Sequence, residues 1–164
     1  MSHCAPVRVL FVCLGNICRS PLAEGVFQAA VDKQGLSDRF KIDSAGTGAW
    51  HAGKAPDRRM RKTALSHGIQ LDDLRARQFT VADLGGFDHI YAMDAHNLND
   101  MLSLDRDTAF GSRVSLFRDL DPEPGDGQVP DPYYGGTDGF EDVFRIVDRT
   151  CEALLLELAK NYTL

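Results

Sequence analysis

Cys13 is separated by five residues from Arg19 and Ser20, in the run Cys13-Leu14-Gly15-Asn16-Ile17-Cys18-Arg19-Ser20. A loop of this kind, between a strand and a helix, can turn successive backbone N–H groups toward one centre and form an anion nest. The positive end of the following helix adds to that field. Such a site stabilises a phosphate dianion and a thiolate alike, which makes Cys13 a candidate nucleophile. The planar fork of Arg19 can hold two phosphate oxygens at once, a geometry that lysine does not copy. A cysteine closing a buried strand is, taken alone, most often a small core hydrophobe. The arginine at this spacing, Gly15 between the two, and the Ser20-Pro21 helix start favour the catalytic reading. The rival nucleotide loop, ending in Gly-Lys-Ser/Thr, does not occur in the chain.

Cleavage of a phosphate monoester also needs a proton for the departing oxygen. The candidate donor is Asp131, in Asp131-Pro132-Tyr133-Tyr134. Pro132 fixes its own backbone and biases Asp131 toward an extended conformation. Tyr133 and Tyr134 offer a wall for an aromatic ring. In isolation Asp-Pro is a loop signal; it gains meaning beside the cysteine loop.

The elements that must position these groups follow from hydrophobic periodicity. Residues 7–13 are apolar on both faces after Arg8, as in a buried parallel strand. Ser20-Pro21 opens a helix, and Leu22, Ala23, Val26, Phe27, Ala30 and Val31 recur at helical spacing until Gly35. A second strand is predicted over 40–45, a helix over 56–67 with Gly68 as its stop, and a third strand over 87–93. A helix through Leu98, Met101 and Leu102 and a short strand over 114–117 follow. The segment 119–136 carries four prolines and reads as a long irregular loop. Asp138 and Glu141 form a capping-box pattern ahead of an apolar stripe through Phe140, Val143, Phe144, Val147, Cys151, Leu154, Leu155 and Leu158. Alternating strands and helices imply a parallel sheet with helices on both faces. Ligands of such sheets bind at the carboxyl ends of the strands, which is where the Cys13 loop falls.

At 164 residues the chain fits one domain. A hydrophobic fraction of 43% with 26% charged residues is ordinary for a soluble globular protein. Its net charge of −6 argues against non-specific nucleic-acid binding. The apolar stretch 9–14 is too short to cross a bilayer, and no signal-peptide pattern is expected. The four cysteines, Cys4, Cys13, Cys18 and Cys151, form no C-x-x-C pair, so neither a zinc site nor any other metal is expected. Reduced thiols suit a cytoplasmic protein. Cys151 falls on the apolar helix stripe; Cys4 has no assignable role.

The run from Val12 to Pro21, followed far downstream by Asp131-Pro132-Tyr133-Tyr134, resembles the low-molecular-weight protein tyrosine phosphatases. The likeness continues through Asp43-Ser44-Ala45-Gly46-Thr47, Trp50, Pro56-Asp57, His67-Gly68-Ile69, Ala76-Arg77-Gln78, Met93-Asp94 and Asn97-Leu98. It implies one domain over 1–164 with a four-stranded parallel twisted sheet, flavodoxin-like and doubly wound. It further implies hydrolysis of phosphotyrosine or a small aryl phosphate to inorganic phosphate, without metal or cofactor. Cys13 would form a phosphocysteine within the phosphate loop Leu14, Gly15, Asn16, Ile17 and Cys18. Asp131 would serve as acid and then as base. Asn16, Ser20, Ser44 and His67 would hold the loop in shape, with Ser20 bonded to the Cys13 sulfur. Trp50 would face Tyr133 across the substrate slot. A reversible Cys13–Cys18 disulfide is implied as well.

Each support has a plainer reading: a left-handed turn for Asn16, and capping for Ser44, His67 and Asp94. Lys54, Arg58, Arg59, Arg61 and Lys62 lie near the expected rim, where they would favour acidic residues around a phosphotyrosine; basic runs on helices are also common as solvated faces. Arg58-Arg59 stand where many relatives carry a second proline. A thioredoxin-coupled arsenate reductase shares the Cys-x5-Arg loop but needs resolving cysteines, and none lies between Gln70 and Pro130. An arginine phosphatase would carry threonine in place of Ile17. A silent phosphate-binding module would be expected to have lost Cys13, Arg19 or Asp131. A redox sensor would leave Asp131 and the tyrosines unexplained.

Overall fold

The computed structural model describes residues 5–164, apart from the side chain of Thr137; Cys4 lies outside the described residues. Four strands, β1 (Val7–Cys13), β2 (Phe40–Gly46), β3 (His89–Ala92) and β4 (Val114–Leu116), form a parallel sheet in the order β2-β1-β3-β4. The central strand β1 has neighbours on both sides and layers on both faces. Val9, Leu10, Phe11 and Val12 are accordingly closed to solvent, which explains the unbroken apolar run. Cys13 pairs with Gly46, the last residue of β2. The chain moves from β1 to β2 on one side and then to β3 on the other, so the carboxyl end of β1 is the switch point.

The helices are α1 (Arg19–Lys33), α2 (Arg58–Ser66), α3 (Val81–Gly86), α4 (Ala95–Ser103) and α5 (Thr137–Asn161). Helices α1 and α5 cover one face, with Leu22, Phe27, Val143, Val147 and Leu154 packed on Phe11 and its neighbours. Phe11 meets Phe27 and Phe117 edge-on, at ring separations of 5.8 and 5.4 Å. On the other face Leu84 and Met101 pack with Leu10, Val12 and Ile90. Both layers therefore hold β1 rigid from its start to Cys13.

Several boundaries differ from expectation for identifiable reasons. Helix α1 begins at Arg19, with Cys18 at its N-cap and no side-chain cap. The Ser20 hydroxyl is therefore not spent on capping. Helix α2 starts at Arg58 because Asp57 caps it, accepting from Arg59 N at 2.8 Å. It ends at Ser66 with His67 as its C-cap, and the φ of +82° at the following Gly68 lets Ile69 N reach back to Ala64 O at 2.9 Å. Helix α3 is an addition: it is short and ends in Gly85-Gly86, which masks its periodicity. Its start is marked by Thr80 N donating to Asp83 Oδ2 at 2.8 Å. The capping-box pattern at Asp138 and Glu141 is not realised, since α5 is capped at Gly136 and Glu141 bonds elsewhere. The 119–136 segment opens with the end of a 3-10 turn spanning Phe117–Leu120. No helix of the described residues is long and apolar enough to cross a membrane.

Candidate active site

The loop after β1 closes into a bowl at the switch point. Asn16 takes a left-handed conformation, φ +55°, and its backbone N–H points at Cys13 Sγ from 3.3 Å. Ser20 Oγ lies 3.0 Å from the same sulfur. The fold makes room by keeping residue 46 small: a Cβ on Gly46 would stand 2.7 Å from Leu14 O. Thr47 N and Gly48 N then donate to Cys13 O and Leu14 O, both at 2.9 Å. On the far side Asp57 N donates to Ile17 O at 2.8 Å, tying the bowl to the start of α2.

Beneath the bowl Asn16 is a hub. Its Nδ2 donates to Ser20 Oγ at 2.8 Å and to Ser44 Oγ at 2.9 Å, and its Oδ1 accepts from Arg77 N at 3.0 Å. Ser44 Oγ in turn donates to Glu24 Oε1 at 2.6 Å. Burial pushes the Glu24 carboxyl up to about 7, with Asp43 adding to the rise and Ser44 and Arg77 opposing it. Every polar side-chain group of Asn16 is thereby used, and a fully satisfied buried network fixes one loop conformation.

Arg19 leaves the first turn of α1 and runs under the cleft, 3% exposed. Nη1 donates to Asp94 Oδ2 at 2.7 Å and to Val129 O at 3.0 Å, while Nη2 stands 3.5 Å from Asp131 Oδ2. Burial works against its charge, but the Cys13 sulfur, Asp94 and Asp131 outweigh it and hold the guanidinium above its ordinary value. Asp94 does two jobs: Oδ2 pairs with Arg19 and Oδ1 caps α4 by accepting from Asn97 N at 2.8 Å. Asp131 presents a half-exposed carboxyl, its Oδ1 accepting from Tyr133 N at 3.0 Å in an Asx turn.

One cleft of about 390 Å³ is lined by Cys13, Leu14, Gly15, Ile17, Cys18 and Arg19 at its floor, and by Asp131, Tyr133 and Tyr134 on one wall. The opposite wall holds Trp50 and His51. The ring across from Tyr133 is that of His51, at 6.2 Å, whereas Trp50 is 70% exposed at the rim. His51 belongs to no motif of the sequence. Its signals are its place beside Trp50 and the bare Cα of Gly15, where a Cβ would come 3.0 Å from His51 Cδ2. Cys18 lines the cleft as a free thiol, and burial, with Asp57, Cys13 and Asp131, pushes its pKa up strongly against Arg59.

His67, expected to support the loop, is not part of the Asn16 network. Its Nε2 shares a 2.6 Å hydrogen bond with Glu141, and its ring stacks on Phe144 at 3.9 Å, where it joins α2 to α5. The Asn16 hub instead uses Arg77 N and, through Ser44, Glu24. Cys151 is buried on α5, its thiol directed at Ala23 O from 3.8 Å. Among the described residues no three His, Cys, Asp or Glu side chains gather as a metal site.

Residues 8–164 match the family model described as low molecular weight phosphotyrosine protein phosphatase. A protein of that description from Schizosaccharomyces pombe is 49% identical over 160 residues, covering 95% of this chain and 94% of its own. The low molecular weight protein-tyrosine-phosphatase YfkJ of Bacillus subtilis is 43% identical over 157 residues, covering 94% of this chain and 97% of its own. Its crystal structure superposes with a TM-score of 0.91 over 98% of this chain and 99% of that one. The protein tyrosine phosphatase of Entamoeba histolytica, solved with Hepes in its active site, gives a TM-score of 0.90 at 38% identity, covering 95% and 99% of the two chains. With its sheet order, its Cys13 bowl and these relatives in agreement, the chain belongs to the low molecular weight phosphotyrosine protein phosphatase family.

Proposed function

We propose that the protein hydrolyses phosphotyrosine, on a protein or as a small aryl phosphate, by way of a phosphocysteine on Cys13. The observation that carries this reading is the convergence on one sulfur: the Asn16 amide at 3.3 Å and the Ser20 hydroxyl at 3.0 Å, in a cleft that Arg19 and Asp131 also line. The Cys13 thiolate attacks phosphorus as the bond to the phenolic oxygen breaks. Arg19 is pinned through Nη1, which leaves its Nε and Nη2 edge to hold two oxygens as charge shifts in the transition state. Asp131, protonated at that moment, gives its proton to the departing oxygen. It then accepts a proton from the water that attacks the phosphocysteine. That step releases inorganic phosphate and restores the thiolate, with Ser20 donating to the sulfur as it leaves.

The cleft is walled by the rings of Trp50, His51, Tyr133 and Tyr134, aromatic surface that suits an aryl phosphate better than the short side chain of phosphoserine. Ile17 makes the floor apolar on that side. No metal or cofactor takes part in this scheme, and residues 1–164 act as one phosphatase domain, in the cytoplasm. Peroxide would oxidise Cys13 to a sulfenic acid, and condensation with the Cys18 thiol would expel water and form a reducible disulfide. The test is hydrolysis of p-nitrophenyl phosphate and of matched phosphotyrosine, phosphoserine and phosphoarginine substrates by the wild type and by Cys13→Ser. The reading expects turnover of the aryl phosphate and the phosphotyrosine alone, and none by Cys13→Ser. Equal rates for the two proteins would overturn it.

A further inference from the structure

We propose that the exposed face of α2 beside the cleft is a subsite for an acidic side chain close to the phosphotyrosine in the substrate polypeptide. This rests on the phosphatase reading above. Helix α2 opens with Arg58-Arg59 and continues with Arg61-Lys62, with no acidic residue in its first turn. Cations at a helix N-terminus oppose the macrodipole, so helix stability does not account for them. The protein as a whole carries −6, which makes the positive charge here a local concentration.

The cations divide by what they do. Arg59 is committed to the wall of the cleft. It pairs with Asp57 through Nε at 3.1 Å and Nη2 at 3.0 Å, donates to Tyr133 O at 3.1 Å, and lies over the rings of Tyr133 and Phe140 at 5.4 and 4.7 Å. Arg61 donates to Pro56 O at 2.9 Å and stands 3.6 Å from Asp72. Arg58 and Lys62, four apart on one helical face, take no carboxylate partner among the described residues. They share with Thr63 and Ser66 a depression of about 380 Å³ whose inner edge is Arg59 and Phe140.

Arg59 lines that depression and donates to the carbonyl of Tyr133, which lines the catalytic cleft, so this pair links the two. A chain residue spans at most ~3.6 Å, so a carboxylate within a few residues of the phosphotyrosine reaches from one to the other. Two cations without a carboxylate partner among the described residues, beside the Thr63 hydroxyl, fit an aspartate or glutamate side chain.

The experiment compares phosphotyrosine peptides carrying aspartate and glutamate on either flank with the same peptides carrying asparagine and glutamine, and with p-nitrophenyl phosphate. Wild type is set against Arg58→Glu/Lys62→Glu. At low salt the wild type is expected to prefer an acidic peptide by about threefold to tenfold in kcat/KM. That preference falls with added salt and disappears in the variant, while p-nitrophenyl phosphate turnover stays within about twofold. Should charge reversal impair p-nitrophenyl phosphate turnover, Arg58→Gln/Lys62→Gln is read in its place. A wild type with no preference for either flank, or a preference that survives the substitutions, overturns the subsite. Loss of aryl phosphate turnover in the wild type would overturn the phosphatase reading instead.

Discussion

Two arginine–aspartate clusters, one around the buried Asp121 and one around the buried Arg19, differ in one respect. Around Asp121 every acceptor is used. Oδ1 accepts from Arg149 Nε at 2.7 Å and Glu123 N at 2.9 Å, and Oδ2 from Arg149 Nη2 at 2.9 Å and Arg118 Nε at 3.0 Å. Arg118 then reaches Gln128 O and Glu123 O, both at 2.7 Å, so the cluster braces the segment that leads to Asp131. Around Arg19 only one edge is closed, by Asp94 and Val129 O, and the nearest approach to its other edge is Asp131 at 3.5 Å. The first cluster is saturated and holds a loop; the second is held open toward a cleft. Burial and opposite charge are common to both, so unfilled hydrogen-bonding capacity facing a cavity is what distinguishes a binding site from a brace.

The sharpest way to break this contrast is to change the open arginine. Arg19→Lys keeps the charge and loses the fork, and kcat/KM for p-nitrophenyl phosphate is expected to fall by about 10³–10⁴-fold while the thermal transition stays nearly in place. A change of less than tenfold would remove Arg19 from transition-state binding. The matching change in the brace should show the reverse. Asp121→Asn leaves the buried Arg118 and the partly buried Arg149 without their counter-charge and is expected to cost about 3 kcal/mol in urea unfolding, with kinetics near those of the wild type in the folded fraction. Burial opposes the Asp121 charge, but Arg149, the Glu123 amide and Arg118 outweigh it and hold the carboxyl down to about 2. Its contribution is therefore whole above the ordinary value of 3.8 and is lost as pH falls toward about 2.

Asp131 stands 3.5 Å from the open edge of Arg19. Asp131→Ala is expected to lower kcat for phosphotyrosine by about 10²-fold and leave phosphate inhibition nearly intact, as steady-state inhibition by phosphate would show. Unchanged turnover would take the proton-transfer role from Asp131. The smallest effect belongs to Glu24, below the Asn16 hub. Unfolded, it ionises near 4.5; folded, it keeps its proton to about 7. The native state thus binds the extra proton across that interval, and stability declines as pH rises through it. Glu24→Gln is expected to flatten this slope and gain about 1–2 kcal/mol at about pH 8 in chemical unfolding. A slope unchanged from the wild type would show that Glu24 ionises normally.

How far the sequence foretold this arrangement depends on distance along the chain. The Cys13–Arg19 loop, the β1 run and the α5 stripe are local patterns, and each stands where its periodicity or spacing put it. Contacts between distant residues left weaker traces. Asp94 joins Arg19 across 75 positions, and its sequence neighbours advertise only the cap it also provides. Glu24 looks like a polar residue on an amphipathic helix until Ser44 is brought to it from β2. His67 drew attention by its neighbours Gly68 and Ile69, yet its partner lies on α5, a helix whose packing no local pattern specifies. Glu141 misled for the same reason, as its carboxylate is taken by His67 and not by a helix cap.

A covalent phosphoryl bond to the Cys13 sulfur can be detected directly. The protein would be mixed with excess aryl phosphate, quenched in acid within the first turnovers and digested, and the phosphorylated peptide located by mass spectrometry. Phosphate is expected on the peptide containing Cys13, accumulating in wild type and absent in Cys13→Ser. Phosphate on any other residue, or full turnover by Cys13→Ser with no phosphorylated cysteine at all, would contradict it.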